Sequence, residues 1–312
     1  MDTSMTRTTA PPANDSRDDK RPVMVTVRCI AYNQERYIRQ CLESLVTQVT
    51  DFRYVAVVHD DASTDHTADI IREYEERYPH IIKAVYEREN LYQRHDGSLM
   101  RRLDAYTQGR YVAICEGDDF WTDPLKLQKQ YDYMEAHPQC SLCFHAHERL
   151  LPSGKREVQR PRRPKPVYTA EDVLLAGGRL MATDSMFYRW EHLAREGRPD
   201  FWNHCDVGDL PSMLFAASKG TLDYIDEVMS VYRKGTAGSW SERQQHLAQR
   251  TAHYKSILRL YDEYDAFTGF RYHRAVIAAK RKRRRKYLKK VAVARLKGYF
   301  STLTSIFLHG NI

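Results

Sequence analysis

No stretch of this chain holds the roughly 18 consecutive apolar residues that a membrane-crossing helix needs. The first residues are polar, with Asp, Thr and Pro, and carry no secretory pattern. Six cysteines are present, Cys29, Cys41, Cys115, Cys140, Cys143 and Cys205, without the paired spacing of a zinc site. Cys140 and Cys143 form a lone Cys-x-x-Cys inside an apolar run, where thiols behave as core residues. A reducing, cytoplasmic setting is expected. No Gly-x-Gly-x-x-Gly follows an expected strand, and no Walker-type Gly-Lys-Ser/Thr occurs, which removes the main support for a dinucleotide fold or a P-loop. Acid is missing from the last 42 residues, Arg271 to Ile312, which contain 13 Lys or Arg. The residues before Arg271 hold 36 basic and 41 acidic side chains, so the net charge of +8 belongs to the tail and the body is mildly acidic.

What is present alternates. Residues 1–21 are poor in apolar side chains and read as a disordered leader. Val23–Ile30 reads as a buried strand, followed by Ile38, Cys41, Leu42, Leu45 and Val46 at helical spacing. Tyr54–Val58 is a second strand, Ile81–Tyr86 a third and Tyr111–Cys115 a fourth, with helices around Ile70–Tyr74 and Leu99–Tyr106 between them. This order predicts an α/β fold with an open, mostly parallel twisted sheet. Asp123 and Pro124 are expected to cap and start a helix, Cys140–His145 to form a strand, residues 155–166 a mobile loop, and Thr169–Asp172 a capping pattern. Two strands are expected over Leu222–Ile225 and Val228–Tyr232, and helices over 239–265 and 271–308.

Ligands on such sheets bind beyond the carboxyl ends of the strands. Three polar clusters fall there: Tyr32-Asn33, Asp60-Asp61, and Glu116-Gly117-Asp118-Asp119. Three carboxylates within four residues, at the end of a buried strand, are costly unless a cation joins them. A divalent metal on oxygen ligands meets that need; a solvated acidic turn is the plain alternative. If the chain stays extended, Glu116 and Asp118 point to one side and Asp119 to the other.

In their order these pieces resemble family 2 glycosyltransferases of the GT-A fold, with a Rossmann-like nucleotide half and an acceptor half. The resemblance rests on Ala31-Tyr32-Asn33, on Asp60-Asp61-Ala62-Ser63-Thr64-Asp65, and on Glu116-Gly117-Asp118-Asp119-Phe120-Trp121. It continues through Gly208-Asp209-Leu210-Pro211 and Asp226 to Arg233. It implies a transferase domain over residues 22–240, which leaves the expected helices after it as an extension over 241–312. It implies a nucleotide-diphosphate sugar donor, with UDP expected, transferred with inversion to the hydroxyl of a sugar or lipid-linked glycan in bacterial surface polysaccharide synthesis. By the same resemblance Tyr32 packs near the base, Asp61 accepts a base N–H, and Asp118 sits by the ribose or donor sugar. Asp119 ligates Mn2+ or Mg2+, and Asp209 is the general base, with Asp206 as a fallback. Thr183-Asp184-Ser185 falls in the half that faces acceptors, as either an acceptor contact or an ordinary turn. Trp121 is read as packing or pocket wall. One departure stands out: where the family often has Tyr-Arg-x-His, this chain has Tyr232-Arg233-Lys234-Gly235. The missing imidazole passes its place at the diphosphate to Arg233 or Lys234, or leaves it empty. A non-catalytic nucleotide-sugar-binding or scaffold subunit is the alternative that this departure permits. A nucleotidyltransferase would need a Gly-rich phosphate loop that Ala31 to Gln34 does not supply.

The tail adds a partner. Lys280–Lys290 carries nine basic residues, and Leu296, Tyr299, Phe300, Leu303, Ile306 and Phe307 follow at helical spacing. That pairing predicts contact with an anionic membrane surface, making the protein peripheral on the inner face of the cell membrane. A helix packed back on the domain is the alternative. No recognised nucleic-acid motif is visible, and no specific nucleic-acid partner is expected.

Overall fold

The computed structural model describes residues 21–94, 96–236 and 247–309, with side chains only as far as 293 in the last helix. Most of the expected leader and the apolar stripe of Leu296 to Phe307 therefore lie outside the described side chains.

Four parallel strands build the first half of the sheet: β1 (Val23–Ala31), β2 (Arg53–Asp60), β3 (Ile82–Tyr86) and β4 (Tyr111–Ile114), in the order β3-β2-β1-β4. Helices α1 (Ile38–Val46), α2 (Thr67–Arg77) and α3 (Ser98–Tyr106) connect them. The strands are apolar on both faces because both faces are covered. Val25, Val27, Cys29, Ala56 and Val58 pack in one core with Ile38, Leu42 and Leu45 of α1. Val57 and Val85 point the other way, onto Leu99 and Leu103 of α3. Gly109 makes the tight entry to β4: its φ is +81°, and a Cβ there would lie 2.5 Å from the Met24 carbonyl oxygen.

The second half of the sheet is mixed. It comprises β5 (Phe120–Trp121), β6 (Cys140–Leu150), β7 (Arg156–Gln159), β8 (Val167–Tyr168), β9 (Phe187–Arg189) and β10 (Thr221–Arg233). The order continues β4-β9-β6-β10-β5, with β6 and β10 parallel and β9, β5, β7 and β8 each antiparallel to its neighbour. Its helices are α4 (Lys126–Ala136), α5 (Ala170–Ala176), α6 (Trp190–Glu196), α7 (Asp200–Asn203) and α8 (Asp209–Lys219). Two long helices close the chain, α9 (Leu247–Phe267) and α10 (His273–His309). Ile257, Leu260, Tyr261 and Tyr264 of α9, with Val276 and Ala279 of α10, enter one core with α5 and α8. The capping box of α5 forms as read, from Thr169 and Asp172.

Several local expectations differ. The helix after Trp121 starts at Lys126, because Asp123 Oδ1 accepts the Leu125 N–H at 2.8 Å and holds a turn instead of a cap. Part of the expected mobile loop, Arg156–Gln159, is a strand zipped antiparallel onto the extended end of β6. The two expected strands after Thr221 are one strand, β10, whose register shifts between Ile225 and Val228 absorb Asp226 and Glu227.

Candidate active site

The loops after β1, β2 and β4 meet at one sheet edge. The first two are laced together through Asn33, whose φ of +52° is left-handed. Its Oδ1 accepts the Thr64 N–H at 2.8 Å, and its own N–H donates to Ser63 Oγ at 2.9 Å. Tyr32 beside it is 40% exposed. Asp61 is buried, and its two oxygens accept the backbone N–H groups of Leu91 and Tyr92 at 2.7 and 2.9 Å. Asp61 thus holds the turn that brings Tyr92 into the cavity wall.

The third loop carries the acids, and here the extended-chain expectation fails. The Asp119 N–H donates to Glu116 O at 2.9 Å and closes a turn, so Glu116, Asp118 and Asp119 bring one carboxylate oxygen each within 4.8 Å of one another. Gly117 sits at the fold of that turn. A Cβ there would lie 2.3 Å from Gln34 Oε1 and 3.0 Å from Ile38 Cδ1. Asp119 is buried; its Oδ1 accepts the Arg233 backbone N–H at 2.7 Å, and its Oδ2 has no hydrogen-bond partner. Asp118 Oδ2 accepts the Thr236 hydroxyl at 2.7 Å.

Burial and mutual repulsion raise the whole group. Burial, then the charges of Asp118, Asp209 and Asp184, push Glu116 up to about 8. Burial and Asp184, Asp118 and Glu116 hold Asp119 well above the usual carboxylate range. Burial raises Asp118 as well. Asp184 is a fourth acid here, buried, with both oxygens unpartnered. Lys126 lies behind it, buried over the Trp121 ring at 3.9 Å and hydrogen-bonded to Gln130 Oε1 at 2.7 Å. Burial pulls that lysine down to about 8. Trp121 is a packing residue, its indole N–H donating to the Asp184 carbonyl at 3.2 Å. An orphaned buried carboxylate oxygen among oxygen ligands suits a hard divalent cation.

Arg233 brackets the same corner. Its guanidinium donates to Gln40 Oε1 and stands 5.1 and 4.9 Å from the Tyr37 and Phe120 ring centroids. Lys234 is exposed, and its backbone N–H goes to Leu150 O at 2.9 Å. Thr236, just past the position where the imidazole is missing, is the residue that donates to Asp118.

Glu116, Tyr232 and Asp209 line one cavity of about 690 Å3. Asp209 is the first residue of α8, preceded by Gly208 as N-cap, and its Oδ1 accepts the Leu210 N–H at 2.7 Å. Burial raises its pKa. Its Oδ2 faces Gly178, where a Cβ would stand 3.1 Å away. Asp206 does not line that cavity; both its oxygens accept the His253 Nδ1–H, at 3.0 and 2.9 Å. Burial is the largest single influence on Asp206 and raises it, but the hydrogen bonds from His253 and Ser256 and the charge of His253 together outweigh it, and the net shift is downward.

Sequence reading missed Asp184 as a member of the acid group, Tyr232 as cavity wall, Thr236, and the α10 side chains that close the cavity. The last had a signal: Lys282, Lys286 and Lys290 recur at i, i+4, i+8, one stripe of a helix.

An open, mostly parallel sheet with acids at its strand ends, continued by a mixed half and flanked by helices, is the GT-A fold. Solved structures share it. S. aureus TarS residues 1–349 in complex with UDP-GlcNAc matches with a TM-score of 0.59 and 17% identity, over 77% of this chain and 66% of that one. The mannosyltransferase PcManGT of Pyrobaculum calidifontis, in complex with GDP-Man and Mn2+, matches with a TM-score of 0.55 and 20% identity, over 93% and 82%. The family model for glycosyl transferase family 2 matches residues 26–196, more than half of the chain, and the chain belongs to that family. An uncharacterized protein of Mycobacterium tuberculosis is 33% identical over 222 residues, 69% of this chain. The chain spans 60% of that relative's length. A putative teichuronic acid biosynthesis glycosyltransferase of Bacillus subtilis is 32% identical over 133 residues, 42% of this chain and 49% of that protein.

Proposed function

We propose that this chain transfers a sugar from a nucleotide-diphosphate donor to an acceptor hydroxyl with inversion at the anomeric carbon. The observation that carries the reading is Asp119: a buried carboxylate with one oxygen fixed by the Arg233 amide and the other without a partner. Asp119, with Asp118 and Glu116 beside it, would hold Mn2+ or Mg2+. Such an ion supplies Lewis-acid stabilisation of the leaving diphosphate and reverses the sign of an acidic pocket. Arg233 adds a fixed positive charge to the same corner, with Lys234 as an exposed second cation. Tyr32 packs against the base. Asp61 spends one lone pair of each oxygen on the Leu91–Tyr92 turn and keeps the second for a base N–H.

Asp209 is the general base. Burial makes it a stronger base than a solvated carboxylate. It takes the acceptor hydroxyl's proton as the oxygen attacks the anomeric carbon and the bond to the diphosphate breaks. Asp206, tied to His253, is left the role of holding α9 against the site. The transferase domain runs over residues 22–240, and the 241–312 extension completes the cleft. The outward side chains Arg281, Arg284, Arg285 and Lys289 of α10 are exposed, which supports contact with an anionic membrane surface.

The test is a thermal-shift screen of UDP and GDP with and without Mn2+, followed by transfer assays and NMR of the product. At about 100 times its dissociation constant the right nucleotide adds roughly 2.7 kcal/mol. A nucleotide response indifferent to metal, or a retained anomeric configuration, overturns the corresponding part of the reading.

A further inference from the structure

The wall of the cavity that holds Asp209 is strongly cationic: it carries eight Lys or Arg against two carboxylates, Glu116 and Asp209. Arg28 and Arg198 at one end share Asp104, at 2.9 and 2.6 Å. The excess lies at the other end, where α5, α9 and α10 meet. Lys282 donates to the Leu175 carbonyl at 2.8 Å, and Arg283 Nη1 to His253 Nε2 at 3.3 Å. Lys286, Lys290 and Arg179 complete the group. Among the described residues, none of these five forms an ion pair with a carboxylate.

Their proximity is expensive. Lys286 is pulled down to about 8 by partial burial and by Arg179, Lys290, Arg283 and Lys282. Lys290 is lowered by burial and by Arg250, Arg179 and Arg283. Lys282, Lys286 and Lys290 line the cavity yet stay exposed, and like charges gathered there repel one another until an anion joins them. A multiply charged phosphate matches several cations at once, where a single carboxylate would neutralise only one. The proposed donor diphosphate lies at the Asp119–Arg233 corner, whereas these cations surround the Asp209 end. Gly178 and Arg179 are adjacent in sequence, and Gly178 abuts the Asp209 carboxylate.

We propose that the α5–α9–α10 end of the cleft is a phosphate-binding site for the acceptor, taking a phosphate or diphosphate group through Arg179, Lys282, Arg283, Lys286 and Lys290. This rests on the transferase reading of Asp209, and it assigns the basic tail helix a place in substrate recognition. The bearer of the phosphate is either a lipid or a water-soluble phosphorylated sugar.

The probe is inorganic pyrophosphate in EDTA, which keeps the acid cluster out of the measurement, titrated by calorimetry against the full chain. Lys286→Gln/Lys290→Gln is expected to weaken binding at least tenfold, and Arg179→Gln to weaken it in the same direction. Arg271→Gln/Arg274→Gln removes the same charge from exposed side chains around the start of α10 that do not line the cavity and is expected to change binding less than twofold. Absence of binding by the wild-type chain at physiological salt, or equal weakening by the two double variants, overturns the site. Sedimentation with phosphatidylcholine vesicles, with and without phosphatidic acid, separates the bearers. Anionic-vesicle binding that pyrophosphate displaces puts the phosphate on a lipid, and pyrophosphate binding without vesicle binding puts it on a soluble acceptor. Asp119→Ala keeps pyrophosphate binding and loses UDP with Mn2+. If it keeps both, the transferase reading fails while the phosphate site stands.

Discussion

The carboxylate of Asp119 accepts the backbone N–H of Arg233 at 2.7 Å across 114 residues of chain. One bond thereby joins the end of the acidic turn to the end of β10, and the second oxygen of Asp119 is left buried and unpartnered. A buried carboxylate in that state costs stability unless something cationic arrives. Asp119→Ala therefore separates two effects. Nucleotide binding in Mn2+ is expected to be lost, while metal-free thermal stability holds or rises. Differential scanning fluorimetry reads both, and a large fall in metal-free Tm would show Asp119 to be a structural anchor instead.

The pH dependence of stability follows from Glu116, whose pKa in the fold is about 8 against an ordinary 4.5. Between those values the folded chain retains a proton that the unfolded chain has released. Metal-free stability therefore falls as pH rises from about 5 to 8. Mn2+ takes the proton's place and is expected to flatten the slope. A metal-free Tm that climbs over this window would contradict the raised acids.

Asp209→Asn removes the proposed base but keeps the shape and the Leu210 hydrogen bond. Its kcat is expected to drop roughly 10²–10⁴-fold with donor KM little changed. Asp206→Asn loosens His253 and α9, so it is expected to lower Tm while leaving the acid limb of the pH–rate profile in place. If that limb disappears with Asp206 and survives loss of Asp209, the base has been misassigned.

Asn33 combines a left-handed backbone with hydrogen bonds to Ser63 and Thr64. Glycine at this position keeps the backbone and loses the side-chain bond, about 1 kcal/mol. Alanine loses the bond and adds left-handed strain of roughly 1–2 kcal/mol. The expected order of Tm is wild type, then Asn33→Gly, then Asn33→Ala. UDP affinity should fall in the same order because Tyr32 is carried on this loop.

Gly117→Ala places a methyl 2.3 Å from Gln34 Oε1. Overpacking of this kind costs roughly 1–3 kcal/mol. Gln34→Ala removes the obstructing side chain, so the double variant is expected to recover part of the loss. Additive effects in that cycle would place the strain elsewhere.

Much of the first half was legible because its strands and helices alternate with clean periodicity, and because turn residues sit where the strands end. The later strands were harder. Phe120–Trp121 and Val167–Tyr168 are two-residue strands that exist only through pairing with β10. Arg156–Gln159 is polar and becomes a strand because the far end of β6 offers an open edge. Asp184 read as either an acceptor contact or a turn residue, and nothing local marks it as a neighbour of Asp119.

The sequence by itself determined which segments are helix or strand in the first half of the sheet, that acids would end β2 and β4, and that the tail would be helical and basic. These depend on spacing within a few residues. Only the tertiary structure decided that Arg233 and Thr236 reach the acidic turn, that four carboxylates crowd together there, and that one stripe of the tail helix turns its cations into the cleft. Each of those needs segments tens to more than a hundred residues apart to be packed against one another. Such placement is set by how the two halves of the sheet join and by the core beneath α9 and α10, which no local pattern encodes.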